Sequence, residues 1–267
     1  MTAGTAHFPA VLGGPSAFEP MDAAFDYLLR RGWRVLPLYV VAMAPFSAVM
    51  LLVIDSISSE HRSALPASCA LLTAATLWRW AWLVAVQRRA QEDVRGEPPL
   101  PLRRRLLTIL VVRLFSNSAM TWGGILLVPA FFGFFLGGMA APMALEHDRR
   151  AWPLIRSTLG WIGAAAGRLG RVSLILGVLI LLMTIGVAVL QALMVGTLLS
   201  SLLGLDVEDL KLTMGGSSWT LCVLYLLYLL YDLYWTVLSV MLYYDLQARR
   251  LGTDLRARIR ALEQTDT

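Results

Sequence analysis

Charge is scarce in this chain: of 267 residues, only 15% are Asp, Glu, Lys or Arg, against about 25% in a typical soluble domain. That shortage, with several apolar runs of the roughly 18–20 residues needed to span a bilayer, excludes a single soluble domain. Cysteine is nearly absent. Cys69 and Cys222 both sit in apolar runs, which excludes a disulfide scaffold. The three histidines, His7, His61 and His147, lie far apart, so no set at metal-ligand spacing forms. Glu146-His147-Asp148 is a local cluster and reads as a solvated helix end. A Gly-rich phosphate loop, a nucleophile elbow and a zinc-protease helix are all missing. Residues 1–17 lack the basic and apolar regions of a signal peptide. What is plentiful is apolar surface. The chain is 57% hydrophobic, which excludes disorder and defines a multi-pass membrane protein.

Four apolar regions stand out: Val35–Ile54, Ala64–Val86, Val172–Leu198 and Ser217–Tyr244. A fifth, Leu106–Leu145, is 40 residues long, the length of two crossings. A turn is expected inside it near Leu127–Phe131, where Pro129 can end a helix. Spans are therefore expected at about 35–54, 64–86, 106–126, 130–145, 172–198 and 217–244. Basic residues agree. Nineteen arginines fall in four segments: before the first span, in 88–105, in 146–171 and in the tail. Arginine and lysine mark the cytoplasmic side. Both segments flanking Leu106–Leu145 are then inside, so that region crosses twice and both termini are cytoplasmic. The net charge of +5 follows from this rule and implies no nucleic-acid partner.

Other stretches read as surface elements. Residues 1–17 are expected to be a mobile N-terminus, with order beginning near Pro20, and 264–267 a short tail. Between them, 18–263 forms one transmembrane domain. Phe18, Met21, Phe25 and Leu28 recur at steps of three and four opposite Glu19, Asp22 and Asp26. This is the pattern of an amphipathic helix on a membrane surface, or of a solvated lead-in to the first span. Residues 148–167 suggest a second surface helix, with Trp152, Ile155, Leu159 and Ile162 on its apolar face. A third is expected at the C-terminus. Residues 92–105, rich in proline, read as a flexible linker. The fold class is all-α: a polytopic transmembrane helix bundle of about six spans. Gly133 and Gly137, and Ala188, Ala192 and Gly196, form small-residue stripes that permit close helix packing.

Three charges lie inside apolar runs: Arg79, Arg113 and Asp232. An ionisable group at mid-bilayer costs about 2.5–3.5 kcal/mol on insertion scales, so each needs a partner or water. Arg79 and Arg113 stand eight or nine residues from the cytoplasmic edge, or about 12–13 Å along a helix. Each arginine snorkels to the headgroups, or pairs with Asp232, or joins it in a proton or ion relay. The cytoplasmic arginines Arg103, Arg104, Arg105, Arg149, Arg150, Arg156, Arg249 and Arg250 are candidate contacts for anionic lipid phosphates. No residue pattern points to a cofactor, a metal or a catalytic group.

Three stretches carry a resemblance. One is Phe25-Asp26-Tyr27-Leu28-Leu29-Arg30-Arg31-Gly32-Trp33. The second is Val128-Pro129, followed by Pro142-Met143-Ala144-Leu145-Glu146 and Leu154-Ile155-Arg156-Ser157. The third is Leu242-Tyr243-Tyr244-Asp245-Leu246-Gln247-Ala248-Arg249-Arg250 with Gly252 and Asp254-Leu255. Together they resemble the membrane domain of bacterial glycerophosphodiester phosphodiesterases and its free-standing relatives. The chain departs from that pattern at Ala130, at Trp152-Pro153 and at Gln247. The fused members catalyse through a separate soluble domain, which this chain has no room for. The resemblance therefore implies a bacterial inner-membrane protein without phosphodiesterase activity.

Two functional readings follow. The first is a non-enzymatic scaffold, anchor or accessory subunit with a membrane or cytoplasmic protein partner. The second is a transporter or lipid- or anion-handling protein that uses Arg79, Arg113 and Asp232. The topology is open to test by cysteine labelling at Ser59, Ser201 and Thr265. The first two are expected to react only from outside, and Thr265 only from the cytoplasm. Reversal at any one of them refutes the arrangement.

Overall fold

The computed structural model describes residues 18–58, 65–96, 99–123, 127–147, 150–193 and 217–265. Their helices are α1 (Glu19–Ser58), α2 (Leu65–Arg95), α3 (Leu102–Gly123), α4 (Leu127–Glu146), α5 (Ala151–Ala164), α6 (Ala166–Leu193) and α7 (Ser217–Thr265). No strand occurs among the described residues. Four helical stretches are long and apolar enough to cross a membrane: Glu19–Val53, Pro66–Arg95, Ala166–Gly186 and Tyr225–Arg250. Ala130–Glu146 is a shorter apolar helix. The expectations for residues 1–17, for most of the outer loops and for the Ala188, Ala192 and Gly196 stripe fall outside the described residues or side chains.

The chain divides into two compact units, one of Met1–Ala166 with Tyr234–Thr267, the other of Gly167–Leu233. In the first, α1 packs on α2 and α3 on α4. The α1–α2 pair is antiparallel: Tyr27 and Arg34 both reach Asp93, while Trp78, fifteen residues earlier on α2, reaches Val41. The α3–α4 pair is closely apposed. A methyl group at Gly133 would lie 2.9 Å from the Ser116 carbonyl oxygen, and one at Gly137 2.6 Å from the Ser116 hydroxyl. These glycines let the two backbones meet, and the Ser116 hydroxyl donates to the Gly133 carbonyl.

Several boundaries differ from the sequence expectation. Leu127–Phe131, expected to turn, is already helix: α3 is described to Gly123 and α4 from Leu127. Pro129 is the third residue of α4, where the missing N–H has no helical acceptor to leave unbonded. Within the 92–105 stretch, 92–95 belong to α2 and 102–105 to α3, while 97–98 lie outside the described residues. Gly96, with φ of 74°, ends α2 in the left-handed conformation that glycine adopts without strain. Leu100 N–H then bonds the Leu145 carbonyl, pinning the short connection to the end of α4. The N- and C-terminal surface segments are not separate helices. They continue α1 and α7, which run 40 and 49 residues.

The apolar residues of α1 and α5 divide between inward and outward positions. In α1, Met21, Ala24 and Tyr27 are buried while Phe18 and Phe25 are exposed, because Tyr27 turns inward to reach Asp93. In α5 the inner face is Leu154, Ile155, Thr158 and Ile162, and Trp152 is 68% exposed. The Thr158 hydroxyl, bonded to the Leu154 carbonyl and facing the Met143 sulfur, takes the inward place. In the second unit, α6 exposes Leu174, Leu179, Leu181, Leu182 and Ile185, an apolar surface suited to lipid.

Proline shapes α1. Pro37 and Pro45 lie inside the helix, and a helical proline leaves the carbonyl four residues earlier without its N–H partner. For Pro45 that carbonyl is Val41, and the Trp78 indole N–H of α2 donates to it at 3.0 Å. Neighbouring helices supply such bonds in membrane proteins because lipid cannot. Trp78→Phe is expected to lower stability by about 1–3 kcal/mol, the cost of leaving a carbonyl without a donor where lipid supplies none. In a Pro45→Ala background, where Val41 regains a backbone donor, the same change should cost less than half as much. Equal losses in both backgrounds, read from thermal unfolding in detergent, would refute the assignment.

Candidate functional site

Polar residues recur every four positions on two helices of the first unit, α2 and α7, and face a row at the same spacing on α4. On α2 they are Gln87, Gln91 and Arg95. On α4 the matching positions are Gly138, Pro142 and Glu146, and on α7 they are Ser239, Tyr243 and Gln247. Steps of four lie along one helical face, and the three rows meet in order. Gln87 Nε2 donates to the Gly138 carbonyl at 2.9 Å and to the Ser239 hydroxyl at 2.8 Å. Gln91 Nε2 donates to the Pro142 carbonyl at 3.0 Å. Arg95 pairs with Glu146 at 3.2 Å. Matching order means that α2, α4 and this part of α7 run in the same direction.

Pro142 explains the first of these bonds. It removes the N–H that would bond the Gly138 carbonyl, and Gln87 replaces it. Gly138 also admits α7: a methyl group there would lie 3.0 Å from Ser239 and from Trp235. Trp235 in turn stacks on Phe134 at 3.9 Å. One glycine and one proline four residues apart thus create an acceptor and the room to reach it.

The same glutamine holds Arg113. Its guanidinium is buried and donates to Gln87 Oε1 at 2.9 Å. The amide of Gln87 therefore bridges α3 on its acceptor side to α4 and α7 on its donor side. A hydrogen bond to a charged group contributes about 1.5–3 kcal/mol.

At the far end of the seam, Glu146 is the junction. Its side chain is 6% exposed. It accepts from the Tyr243 hydroxyl, from Gln247 Nε2 at 3.2 Å and from Arg95. The expectation of a solvated helix end at Glu146 is thereby corrected: three donors from two other helices draw the carboxylate inside. Tyr243 also stacks on Trp161 of α5, with rings 5.6 Å apart and nearly parallel, and Arg250 lies 5.3 Å above the Trp161 ring. A second junction joins α1 to α2. Asp93 accepts from Arg34 at 2.7 Å and Tyr27 at 3.0 Å, while Arg31 donates to its carbonyl.

The residues singled out from sequence are placed as follows. Arg113 joins the seam. Arg79 lies 4.9 Å from the Phe46 ring of α1, a cation–π contact. Asp232 is buried and belongs to the second unit. Of the candidate lipid contacts, Arg103, Arg150, Arg156 and Arg250 are exposed, and Arg105 is half-buried. Arg249 is engaged by the fully buried Asp245 at 3.3 Å. The Arg104 side chain and all of Arg149 fall outside the described residues. Gln87, Gln91 and Asp93 escaped the sequence reading. The signal for Gln87 and Gln91 was a polar residue every four positions where α2 leaves its apolar run. Among the described residues, no group of three or more His, Cys, Asp or Glu could hold a metal.

Comparisons with protein families, with curated proteins and with solved structures find no match to this chain.

Gln87→Leu is expected to lower stability by about 1.5–3 kcal/mol, since it strips a buried guanidinium of its acceptor and Gly138 of its donor. Adding Arg113→Leu should recover part of that loss, because residues in one network couple. Strictly additive losses in a denaturation series would remove Gln87 from the network.

Proposed function

We propose that this protein is a non-enzymatic multi-pass membrane component: a scaffold, anchor or accessory subunit of a membrane-associated complex. The observation that supports this reading is the use of its buried polar groups. Gln87, Gln91, Arg95, Arg113, Glu146 and Tyr243 all hold helices to one another. Groups so engaged fix a shape, and a fixed shape is what a docking platform needs.

We place it in a bacterial inner membrane with about six spans and both termini cytoplasmic. It would be a free-standing relative of the membrane domain of glycerophosphodiester phosphodiesterases. The common direction of α2, α4 and α7 favours this count, because every second span of a six-span bundle runs the same way. The runner-up reading is transport, or handling of an anionic or lipid solute, through Arg79, Arg113 and Asp232. Burial of Asp232 in an otherwise apolar stretch of α7 favours it.

Two measurements on the same preparation separate the readings. Gentle extraction from native membranes, followed by cross-linking, should yield a protein partner at fixed stoichiometry. Purified protein in vesicles should give no flux of anionic solutes or lipid analogues above protein-free vesicles. A saturable flux abolished by Asp232→Asn would overturn the scaffold reading and establish transport.

A further inference from the structure

The open face of α5 carries a surface that no protein contact explains. Its inner face is occupied by Leu154, Ile155, Thr158 and Ile162. Trp152 and Arg156, one turn apart on the opposite side, are exposed, and so is Arg150 at the helix start. Past them the face is flat: a methyl group at Gly160 or Gly163 would meet nothing within 4 Å. Arg150 and Arg156 form no ion pair among the described residues. From Arg149 to Leu205 the sequence holds no Asp or Glu, and Asp148, the acid nearest to Arg150 in sequence, lies outside the described residues. Glu146, at the end of α4, and Asp245, within α7, have buried side chains already bonded to Arg95, Tyr243, Gln247 and Arg249. In chain order α5 follows the apolar helix α4 and precedes the apolar helix α6.

We infer that this face binds the phosphodiester headgroup of an anionic phospholipid in the cytoplasmic leaflet. Arg150 and Arg156 meet phosphate oxygens, and Trp152 lies at the glycerol level beside them. Charge complementarity carries the choice of occupant: among the described residues, the exposed face of α5 has cations and no anion. The tryptophan narrows the class further. An indole is favoured at the boundary between headgroup and acyl chain, whereas free phosphate in water has no use for it. Arginine suits the ligand because its planar fork meets two phosphate oxygens at once. This inference rests on the reading that α5 lies at the inner surface of a membrane.

The test uses the full chain in nanodiscs of phosphatidylcholine, with and without phosphatidylglycerol, and counts lipid retained on gentle release into the mass spectrometer. The intact protein should retain phosphatidylglycerol preferentially. Each cytoplasmic arginine near a membrane contributes roughly fivefold to binding of anionic lipid, so Arg150→Gln with Arg156→Gln should weaken retention about 25-fold. Arg156→Lys should lose less than Arg156→Gln. Trp152→Ala should weaken lipid retention while leaving any binding of inorganic phosphate unchanged, and inorganic phosphate should not displace the lipid. Displacement by phosphate alone would make the site one for a free anion. Equal retention of both lipids, or an unchanged preference in the double variant, overturns the inference. Unfolding temperatures in pure phosphatidylcholine report whether each variant folds. Resistance to alkaline carbonate extraction, measured in parallel, reports on the membrane reading separately: a protein that washes off fails that reading, while one that stays embedded and shows no lipid preference fails only this inference.

Discussion

A backbone carbonyl in an apolar helix has to be bonded, and proline inside such a helix leaves one open. The first unit is organised around that constraint. Pro142 opens the carbonyl of Gly138, and Gln87 crosses from α2 to fill it. Pro45 opens the carbonyl of Val41, and Trp78 of the same helix α2 fills that one. Each bond fixes the rotation and height of one helix against another, which apolar packing alone leaves loosely specified. Helix α2 is consequently the hub, donating on one flank to α1 and on another to α4 and α7.

Polarity is then graded along the seam. Deep in the unit the contacts are amide to carbonyl, amide to hydroxyl and amide to guanidinium, all around Gln87. Toward the helix ends they become ionic, with Arg95 on Glu146 and Arg34 on Asp93. This order follows the cost of burial. A neutral amide that satisfies both its oxygen and its nitrogen is tolerated far from water, whereas carboxylates are costly there. The arginines paired with Glu146 and Asp93 remain about two-fifths exposed, so water shares the solvation of the charge and each pair contributes modestly.

Small residues and aromatics complete the arrangement. Gly133, Gly137 and Gly138 remove side-chain bulk where α3, α4 and α7 approach. Trp235 and Phe134 fill the space beside Gly138 by stacking. At the helix ends, Tyr243 joins two kinds of contact in one residue, its hydroxyl on Glu146 and its ring on Trp161. This links α5 to the junction and leaves the opposite face of α5 turned outward.

The sequence by itself determined the class of structure. Apolar runs of spanning length and scarce charge admit helices and little else, because lipid offers a backbone no hydrogen bonds. The small-residue stripe at Gly133 and Gly137 was legible for the same reason, since glycine at steps of four has few uses besides close packing. Tertiary structure decided which face of each helix turned inward. Periodicity assigned Phe25 and Trp152 to the same apolar faces as Met21 and Ile155, but side chains of equal hydropathy look alike until a polar neighbour selects among them. Tyr27 was selected by Asp93, and Thr158 took an inward place against Met143. The polar seam lay beyond the sequence for a further reason. The acceptors for Gln87 and Gln91 are backbone carbonyls, 51 residues away in each case. A carbonyl carries no side-chain signature, and Pro142 reveals an open one only when a donor on another helix arrives beside it.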